Sequence, residues 1–441
     1  MMRHVAAITT LLIVATTVIA MRVLAGEQAS SSTAPAKSAS SSIGPSAAPT
    51  SSTSALAPGT IINASNSDQY AKYLPVAATL ALKHGLQIEV TPTERLQWSA
   101  GFQTATEKYS PQVGLDQNDY ITNYIAGMPF PLIETNDPKA AIKIAYNWHM
   151  GPVIPDDFQQ TPWTSNGYRV DHTEASRIFP SNDTNYACDK LQLLRFAHRT
   201  EVDPRPTLGD NGAGVEWKEK CDKWSELSTG ATEAEGSGIH VRYLDPRRDD
   251  EFYAFQEDSR RVRRMTIDFP YPNQNCRACH QPYWAYALPK TEIYSYRLLG
   301  TTALLASMNA SGEPAGLNPS SEDFNLTKEP FELRRAYIIE MTPSRKNLSE
   351  RTLVFIDSEI YVWLAAEFYE GPQRVATTIP LWRMHPASGG GHLFHLAGSF
   401  FFPDQKPDFF RSLVPAHFPF EQQINTGSLS ASEFNPQSLA H

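Results

Sequence analysis

The chain has 441 residues and a formal net charge of −9 at pH 7. A chain of this length can bury a sizeable core, and its acidic balance argues against nucleic acid and anionic membrane surfaces as partners. The 33 prolines and 24 glycines, without any long helical periodicity, favour a turn-rich body built mostly of β-strands.

The first 25 residues have the pattern of a secretory signal peptide. An apolar run, Val5–Ala20, precedes Val23–Ala25, which resembles a cleavage site with small residues. Arg22 lies close to the predicted cut, so an uncleaved N-terminal membrane anchor stays open as an alternative. Both interpretations predict an exported, periplasmic protein. Cleavage would change the net charge to −11, because Arg3 and Arg22 are lost and no acidic residue is.

Composition divides the rest of the chain into three parts. Residues 26–58 are rich in Ser, Ala and Pro, and such a stretch buries too little apolar surface to fold, so we expect a flexible linker. Residues 59–421 form the predicted folded body. Residues 422–441 are polar, and we expect them to be a loose tail.

Two helices are predicted near the start of the body. Apolar residues recur at helical spacing over Asp68–Gly85, although Pro75 would kink or split that helix. A second helix is predicted over Asp137–Trp148, where Ala and Ile residues share one face. Between them, Asn123–Leu132 is rich in Gly and Pro and indicates a tight turn.

Cys188 and Cys221 are two of only four cysteines in the chain. In an oxidising compartment, such a pair predicts a disulfide. That bridge would close a loop of about 34 residues, and two unpaired thiols are the alternative.

Strands dominate the second half of the predicted body. Two hairpins are predicted, each with a polar turn between its arms. One is formed by Phe252–Phe255 and Arg261–Ile267, and the other by Glu332–Met341 and Thr352–Ile356. The predicted strands are Ile239–Leu244, Phe252–Phe255, Arg261–Ile267, Ile293–Leu299, Glu332–Met341, Thr352–Ile356 and Glu359–Tyr369. Antiparallel strands repeated every ten to fifteen residues indicate one large sheet or an open barrel.

The segment Cys276–His280 reads Cys-Arg-Ala-Cys-His, and it lies in a loop predicted over residues 271–282. Cys-x-x-Cys-His is the attachment signature of a covalent c-type haem. Cys276 and Cys279 would form thioethers with the two vinyl groups, and His280 would be the proximal iron ligand. A zinc site, which would need a fourth ligand, and a dithiol redox site stay open as alternatives.

The distal iron ligand is not fixed by the sequence. His392 or His395 follows a run of three glycines, and a mobile glycine-led segment could bring either imidazole to an iron. Met384, His385 and His417 are further candidates, and a five-coordinate iron is another. Paired axial ligands suit electron transfer, whereas an open site permits ligand sensing or peroxide chemistry.

Several segments together resemble the proteobacterial domain-of-unknown-function family 1329, often labelled outer-membrane lipoprotein-sorting-like. They are Ile125–Pro131, Asp137–His149, Asp245–Met265 and Glu332–Tyr369, within roughly residues 60–380. The most specific is the stretch of Asp-Pro-Arg-Arg-Asp-Asp, an aromatic strand and an arginine-rich arm. The resemblance implies a mainly β (α+β) fold, a strongly curved antiparallel sheet or half-barrel wrapped around helices, as in lipoprotein carriers.

The resemblance also implies a function in transport, and it implies no catalytic residue in this chain. The family is thought to work beside large exporters and outer-membrane proteins, with a hydrophobic cargo. The haem motif is not part of its usual signature. The leading expectation is therefore a periplasmic mono-haem c-type cytochrome on a carrier-like scaffold, with a redox partner protein. The alternatives are a carrier of hydrophobic molecules in which haem is auxiliary, and a haem enzyme with an open distal site.

Overall fold

The structure is a computed structural model in which a defined part of the chain is described. The described residues are 56–151, 155–160, 163–171, 177–180, 186–208, 218–228, 236–243, 251–256, 260–265, 294–310, 328–344, 350–415 and 422–440. The predicted signal peptide and nearly all of the predicted linker, the haem loop 271–282 and His417 lie outside these ranges.

The described part contains three α-helices and twenty strands, which confirms the predicted mainly β (α+β) class. In chain order the elements are β1 (Ile61–Ile62), α1 (Val76–Lys83), β2 (Gln87–Val90), α2 (Ala100–Tyr109), β3 (Gly114–Leu115), β4 (Ile121–Thr122), α3 (Ala140–Met150), β5 (Asp157–Gln160), β6 (Trp163–Asp171), β7 (Arg177–Pro180), β8 (Tyr186–Arg195), β9 (Lys218–Ser228), β10 (Gly236–Tyr243), β11 (Glu251–Gln256), β12 (Arg261–Met265), β13 (Tyr294–Ala306), β14 (Lys328–Pro343), β15 (Glu350–Asp357), β16 (Trp363–Glu370), β17 (Gln373–Pro386), β18 (His392–Pro403), β19 (Phe409–Pro415) and β20 (Gln422–Ile424).

Antiparallel pairing joins most strands into one continuous sheet. Starting from β13, the strands follow one another across the sheet in the order β14, β15, β16, β17, β18, β19, β6, β8, β9, β10, β11 and β12. β5 pairs with β8 and β20, and β7 pairs with β6. β2 joins β14 in parallel and carries β1. The hairpins β11–β12 and β14–β15 are the two that the sequence predicts.

The sheet curls strongly between β13 and β17, as predicted. These strands are separated by three others in the sheet, yet the chain leaving β13 reaches β17 directly. The Trp382 amide donates to the Ser307 carbonyl at 3.1 Å, and the Ala310 amide donates to the Trp382 carbonyl at 2.7 Å. A flat sheet of strands about 4.8 Å apart would keep β13 and β17 too far apart for such bonds. The sheet therefore bends round to bring them together.

The helices cover this curved sheet on both faces. Phe102 of α2 and Trp148 of α3 belong to an aromatic-rich core with Trp363 and Trp382. The apolar residues of α1 instead pack with a second cluster that includes Leu381. Because successive residues of a strand point to opposite faces, Leu381 and Trp382 show that β17 is buried on both sides here.

The two predicted helices are present with altered limits. The segment Asp68–Gly85 is split at Pro75 into a 3-10 helix, Ser67–Tyr73, and α1. Leu74 is extended, as expected for a residue before proline. The second predicted helix corresponds to α3, which begins at Ala140, three residues later than the prediction.

The predicted loose tail is wrong for the described residues 422–440. Strand β20 pairs with β5, and two short 3-10 helices follow, Ala431–Phe434 and Pro436–Ala440. Ser430 and Glu433 form a capping box at the first of them. Phe434 is fully buried against the strands β8 and β10. A few apolar side chains therefore suffice to order a segment of polar composition.

A buried ion-pair network ties β14 to its neighbours. Arg334, with 2% of its side chain exposed, donates from Nε to Asp357 Oδ2 at 2.8 Å and from Nη2 to Glu359 Oε2 at 2.8 Å. Its Nη1 donates to Glu332 Oε1 and to the Glu94 carbonyl. Burial raises the pKa of Glu332 to about 7. One guanidinium therefore joins β14, the turn after β15 and the segment before α2.

We predict that Arg334→Met destabilises the protein far more than Arg297→Met. The first change leaves the fully buried Asp357 without its cation, and breaking a buried pair costs about 3–5 kcal/mol. The second breaks the pair between Glu340 and Arg297, whose side chain is 70% exposed, and exposed pairs contribute about 0–1 kcal/mol. Urea unfolding of both variants measures the difference, and equal losses would contradict the role assigned to Arg334.

Candidate functional site

The hairpin β17–β18 presents two chemically different faces. Its register places Arg383 opposite His395 and Met384 opposite Phe394. Met384 and Phe394 point to the aromatic core, with Phe394 buried there. Arg383, His385 and His395 therefore lie on the other face, which continues the surface that Leu381 presents to α1.

The turn of this hairpin contains three glycines, and Gly391 allows a close backbone approach. The His392 amide donates to the Gln97 carbonyl at 3.0 Å, and the Ala100 amide donates to the Gly390 carbonyl at 2.9 Å. Gly391 has φ +72°, and a Cβ there would lie 2.1 Å from the Trp98 carbonyl oxygen. The run that the sequence interpretation treated as a source of mobility is held against the segment leading into α2.

His385 and His395 form a hydrogen-bonded pair. His385 Nε2 and His395 Nδ1 are 2.9 Å apart, and the rings stack at 4.6 Å between centroids. Burial, and then the positive charge of Arg383, hold the pKa of His385 below its usual value. Burial, His385 and Arg383 hold the pKa of His395 well below its usual value. Both rings are therefore neutral near pH 7, and one N–H of the pair donates to the bare nitrogen of the other.

The opposite wall comes from the chain around Glu201, from β20 and from the residues after it. Asp156 Oδ2 accepts backbone N–H bonds from Thr200 and Val202, both at 2.9 Å, and from Glu201 at 2.6 Å. Asn425 Oδ1 in turn accepts from the Asp156 amide at 2.8 Å. The Glu201 carboxylate accepts from the Ser99 hydroxyl. Burial raises the pKa of Glu201.

These walls enclose a cavity of about 510 Å³. Its lining combines one guanidinium, one imidazole, one carboxyl group and several small or apolar side chains. The lining residues are Glu201, Arg383, His385, Pro386, Ala387, Ser388, Leu393, Gln423, Ile424, Asn425 and Thr426. We call this cavity the hairpin pocket.

A second region of interest is an apolar rim beside β13. Leu132 is 80% exposed, and Ile133, Tyr296 and Leu298 are half-buried against the aromatic core. Asn147 of α3 fixes the chain before Leu132, because its side chain accepts from the Phe130 amide at 2.9 Å and donates to the Phe130 carbonyl at 2.7 Å. Among the described strands, β13 has only β14 as a ladder partner. We call these four apolar residues the β13 rim.

The predicted haem ligands are only partly covered by the structure. Cys276, Cys279 and His280 lie outside the described residues, so the attachment site stays a prediction. His392 and His395 lie on opposite faces of β18, three residues apart, and His395 is paired with His385. Within the described ranges, no three His, Cys, Asp or Glu side chains come together in a metal-binding arrangement.

The strand register does not support the predicted disulfide between Cys188 and Cys221. Cys221 lies opposite Leu194, whereas Cys188 lies opposite Glu226, five residues further along β9. At about 3.3 Å per residue this offset is about 17 Å. A disulfide requires Cα atoms within about 7 Å, so a bridge would need a shift of the ladder.

Comparison with known proteins identifies the family. A family model described as "Protein of unknown function (DUF1329)" matches residues 61–378, and the chain belongs to that family. No curated protein matches the sequence. Among solved structures, a DUF1329 family protein from Desulfovibrio piger is 12% identical with a TM-score of 0.38, covering 67% of this chain and 96% of its own. A LolA superfamily protein from Nitrosomonas europaea is 12% identical with a TM-score of 0.35, covering 68% and 99%.

The hairpin pocket lies mostly beyond the matched residues, because all its lining except Glu201 follows residue 378. Sequence reasoning named His385 and His395 only as separate iron ligands. Arg383 and His385 are two residues apart, as are Leu393 and His395, so each pair lies on one face of its strand. This spacing was the sequence signal that the arginine and the two histidines share a face. The described helices include none long and apolar enough to cross a membrane.

We predict that the histidine pair makes stability fall in mild acid. The folded-state pKa of His395 lies below the unfolded value of about 6.5, so the unfolded chain binds more protons below that pH. The contribution of the histidine pair to the free energy of unfolding should fall as the pH drops through about 6.5, and stop falling below the folded-state pKa. His395→Gln should flatten this dependence in urea unfolding between pH 7.5 and 5, while Ser388→Ala should follow the wild type. A His395→Gln curve parallel to the wild type would contradict the assignment.

Proposed function

We propose that the protein is an exported, periplasmic carrier of a hydrophobic molecule, and that the β13 rim is where the molecule binds. The observation that carries this proposal is an apolar rim that joins the exposed surface directly to the aromatic core beneath a curled sheet. The export signal and the family resemblance support the same reading.

The rim has the properties of a binding edge. Large apolar side chains are mostly buried in folded proteins, and a group of them at a surface usually has an interaction role. Leu132 and Leu299 are the large apolar side chains that stand exposed among the described residues, and Leu132 directly precedes Ile133, which packs against the same core as Tyr296 and Leu298. These last three side chains pack against the core and leave part of their surface open.

The geometry around the rim favours entry at this point. β13 carries a bulge between Leu298 and Gly300, which interrupts its ladder with β14. The segment that carries Leu132 is held by Asn147 only up to Phe130, so Leu132 lies beyond the last of these hydrogen bonds. An apolar ligand bound here would cover Leu132 and contact Tyr296. An exporter or an outer-membrane protein is the proposed partner for delivery.

We predict that Leu132→Asp weakens binding of the apolar fluorophore N-phenyl-1-naphthylamine about tenfold. Burying a leucine side chain contributes about 1.5–3 kcal/mol, and a carboxylate at the same place must be desolvated. Leu132 is 80% exposed in the free protein, so the change should leave folding intact. The matched control is Leu299→Asp, which alters a 43% exposed leucine at the bulge of β13 outside the rim. Equal affinities for both variants and the wild type would refute the rim as the binding edge.

We further propose that Cys276, Cys279 and His280 carry one covalent haem c. The supporting observation is the attachment motif in a chain whose first 25 residues have the pattern of a secretory signal peptide. A haem there would supply one-electron chemistry, with His280 as the proximal ligand and His392 or His395 as a candidate distal ligand. Electron transfer to a redox partner, or redox sensing, would then be added to the carrier scaffold.

The covalent haem is tested by replacing its attachment residues. Protein matured in a host with c-type haem assembly should give a pyridine haemochrome spectrum that survives denaturation and acid–acetone extraction. The Cys276→Ala/Cys279→Ala variant should lose this spectrum, and the Cys188→Ala/Cys221→Ala control should keep it. Wild-type protein without covalent haem, or haem retained by the first variant, would refute the proposal.

A further inference from the structure

Arg383 is an unneutralised cation in the wall of the hairpin pocket. No ion pair or hydrogen bond joins its guanidinium to another side chain of the described part. Arg374, on the same strand, is by contrast bound by Asp404 through two hydrogen bonds of 2.9 and 2.8 Å. A guanidinium that faces a cavity presents a planar fork of N–H donors, and this fork matches the two oxygens of a carboxylate.

Other donors face the same cavity. Asn425 also lines it. The orientation of this amide is fixed, because its Oδ1 accepts from the backbone of Asp156. Ser388 adds a hydroxyl group and His385 a neutral imidazole. The one acidic group in the lining, Glu201, has its carboxylate engaged by Ser99. Arg383 and the Ser388 hydroxyl can therefore donate to an acceptor group in the pocket.

Besides these groups and the polar side chains of Gln423 and Thr426, the lining is apolar. Pro386, Ala387, Leu393 and Ile424 contribute hydrocarbon surface beside the donors. The volume of about 510 Å³ lies within the range of about 300–1,000 Å³ typical of small-molecule sites. A single guanidinium next to neutral imidazoles matches one negative charge better than the two of a phosphate.

We propose that the hairpin pocket binds a small monocarboxylate with an apolar or aromatic body. The carboxylate pairs with Arg383 and accepts from the Ser388 hydroxyl, and the body lies against Leu393 and Ile424. This site is independent of the proposed carrier function, because the pocket lies on the face of β17–β18 that points away from the aromatic core.

The test is isothermal titration calorimetry of the full-length protein with four probes. Benzoate and hexanoate carry the predicted carboxylate, benzyl alcohol lacks the charge, and inorganic phosphate lacks the apolar body. We expect the two carboxylates to bind, and Arg383→Gln to weaken them about tenfold or more, as expected for loss of a charge-assisted pair. Arg335→Gln, which changes an exposed arginine of β14, is the matched control and should bind as the wild type does.

A second variant keeps the test valid if Arg383→Gln fails to fold. Ser388 is exposed in the turn and lines the pocket, so Ser388→Glu adds a negative charge without disturbing the core. It should abolish carboxylate binding. No binding of either carboxylate, equal binding of benzyl alcohol or phosphate, or carboxylate binding unchanged by both pocket variants would each overturn the proposal.

Discussion

The return of the chain from β13 to β17 is the constraint on which the rest of the architecture depends. Two backbone hydrogen bonds at Trp382 join β17 to the chain that leaves β13. Three other strands separate β13 from β17 in the sheet, so the sheet between them must curl. A curled sheet has a concave face, and α2 and α3 fill it with aromatic side chains. The Arg334 network then fixes the segment before α2 to β14 and to the turn after β15. The β13 rim lies at the edge of this arrangement, where the sheet has no further described ladder partner.

The hairpin β17–β18 shows how one element can serve two environments. Its even-numbered residues Met384 and Phe394 belong to the core, while Arg383 and His385 line a polar cavity on the other side. The glycine turn binds the hairpin to the segment before α2, and Asp156 holds the loop of Glu201 opposite. The pocket therefore depends on contacts between parts of the chain more than 180 residues apart. Its neutral histidines follow from burial and from the charge of Arg383.

The sequence correctly predicts the features that depend on residues close together in the chain. The hairpins β11–β12 and β14–β15 follow from alternation and turn residues, and the break before α1 follows from Pro75. Long-range features escaped prediction, because nothing near Gly391 in sequence shows that Trp98 packs against it. The register of Cys188 and Cys221 likewise depends on how β8 and β9 align. The polar composition of residues 422–440 predicts a loose tail, but burial of Phe434 outweighs that composition.

The central claim is that the curled sheet carries an apolar ligand, and native mass spectrometry of protein released gently from the periplasm tests it most directly. The account predicts an added mass from an apolar molecule, extractable into organic solvent and lost on unfolding in urea. It also predicts that Leu132→Asp protein retains less of this mass than Leu299→Asp protein. A wild-type preparation that carries no apolar molecule and takes up none when mixed with lipid would contradict the claim.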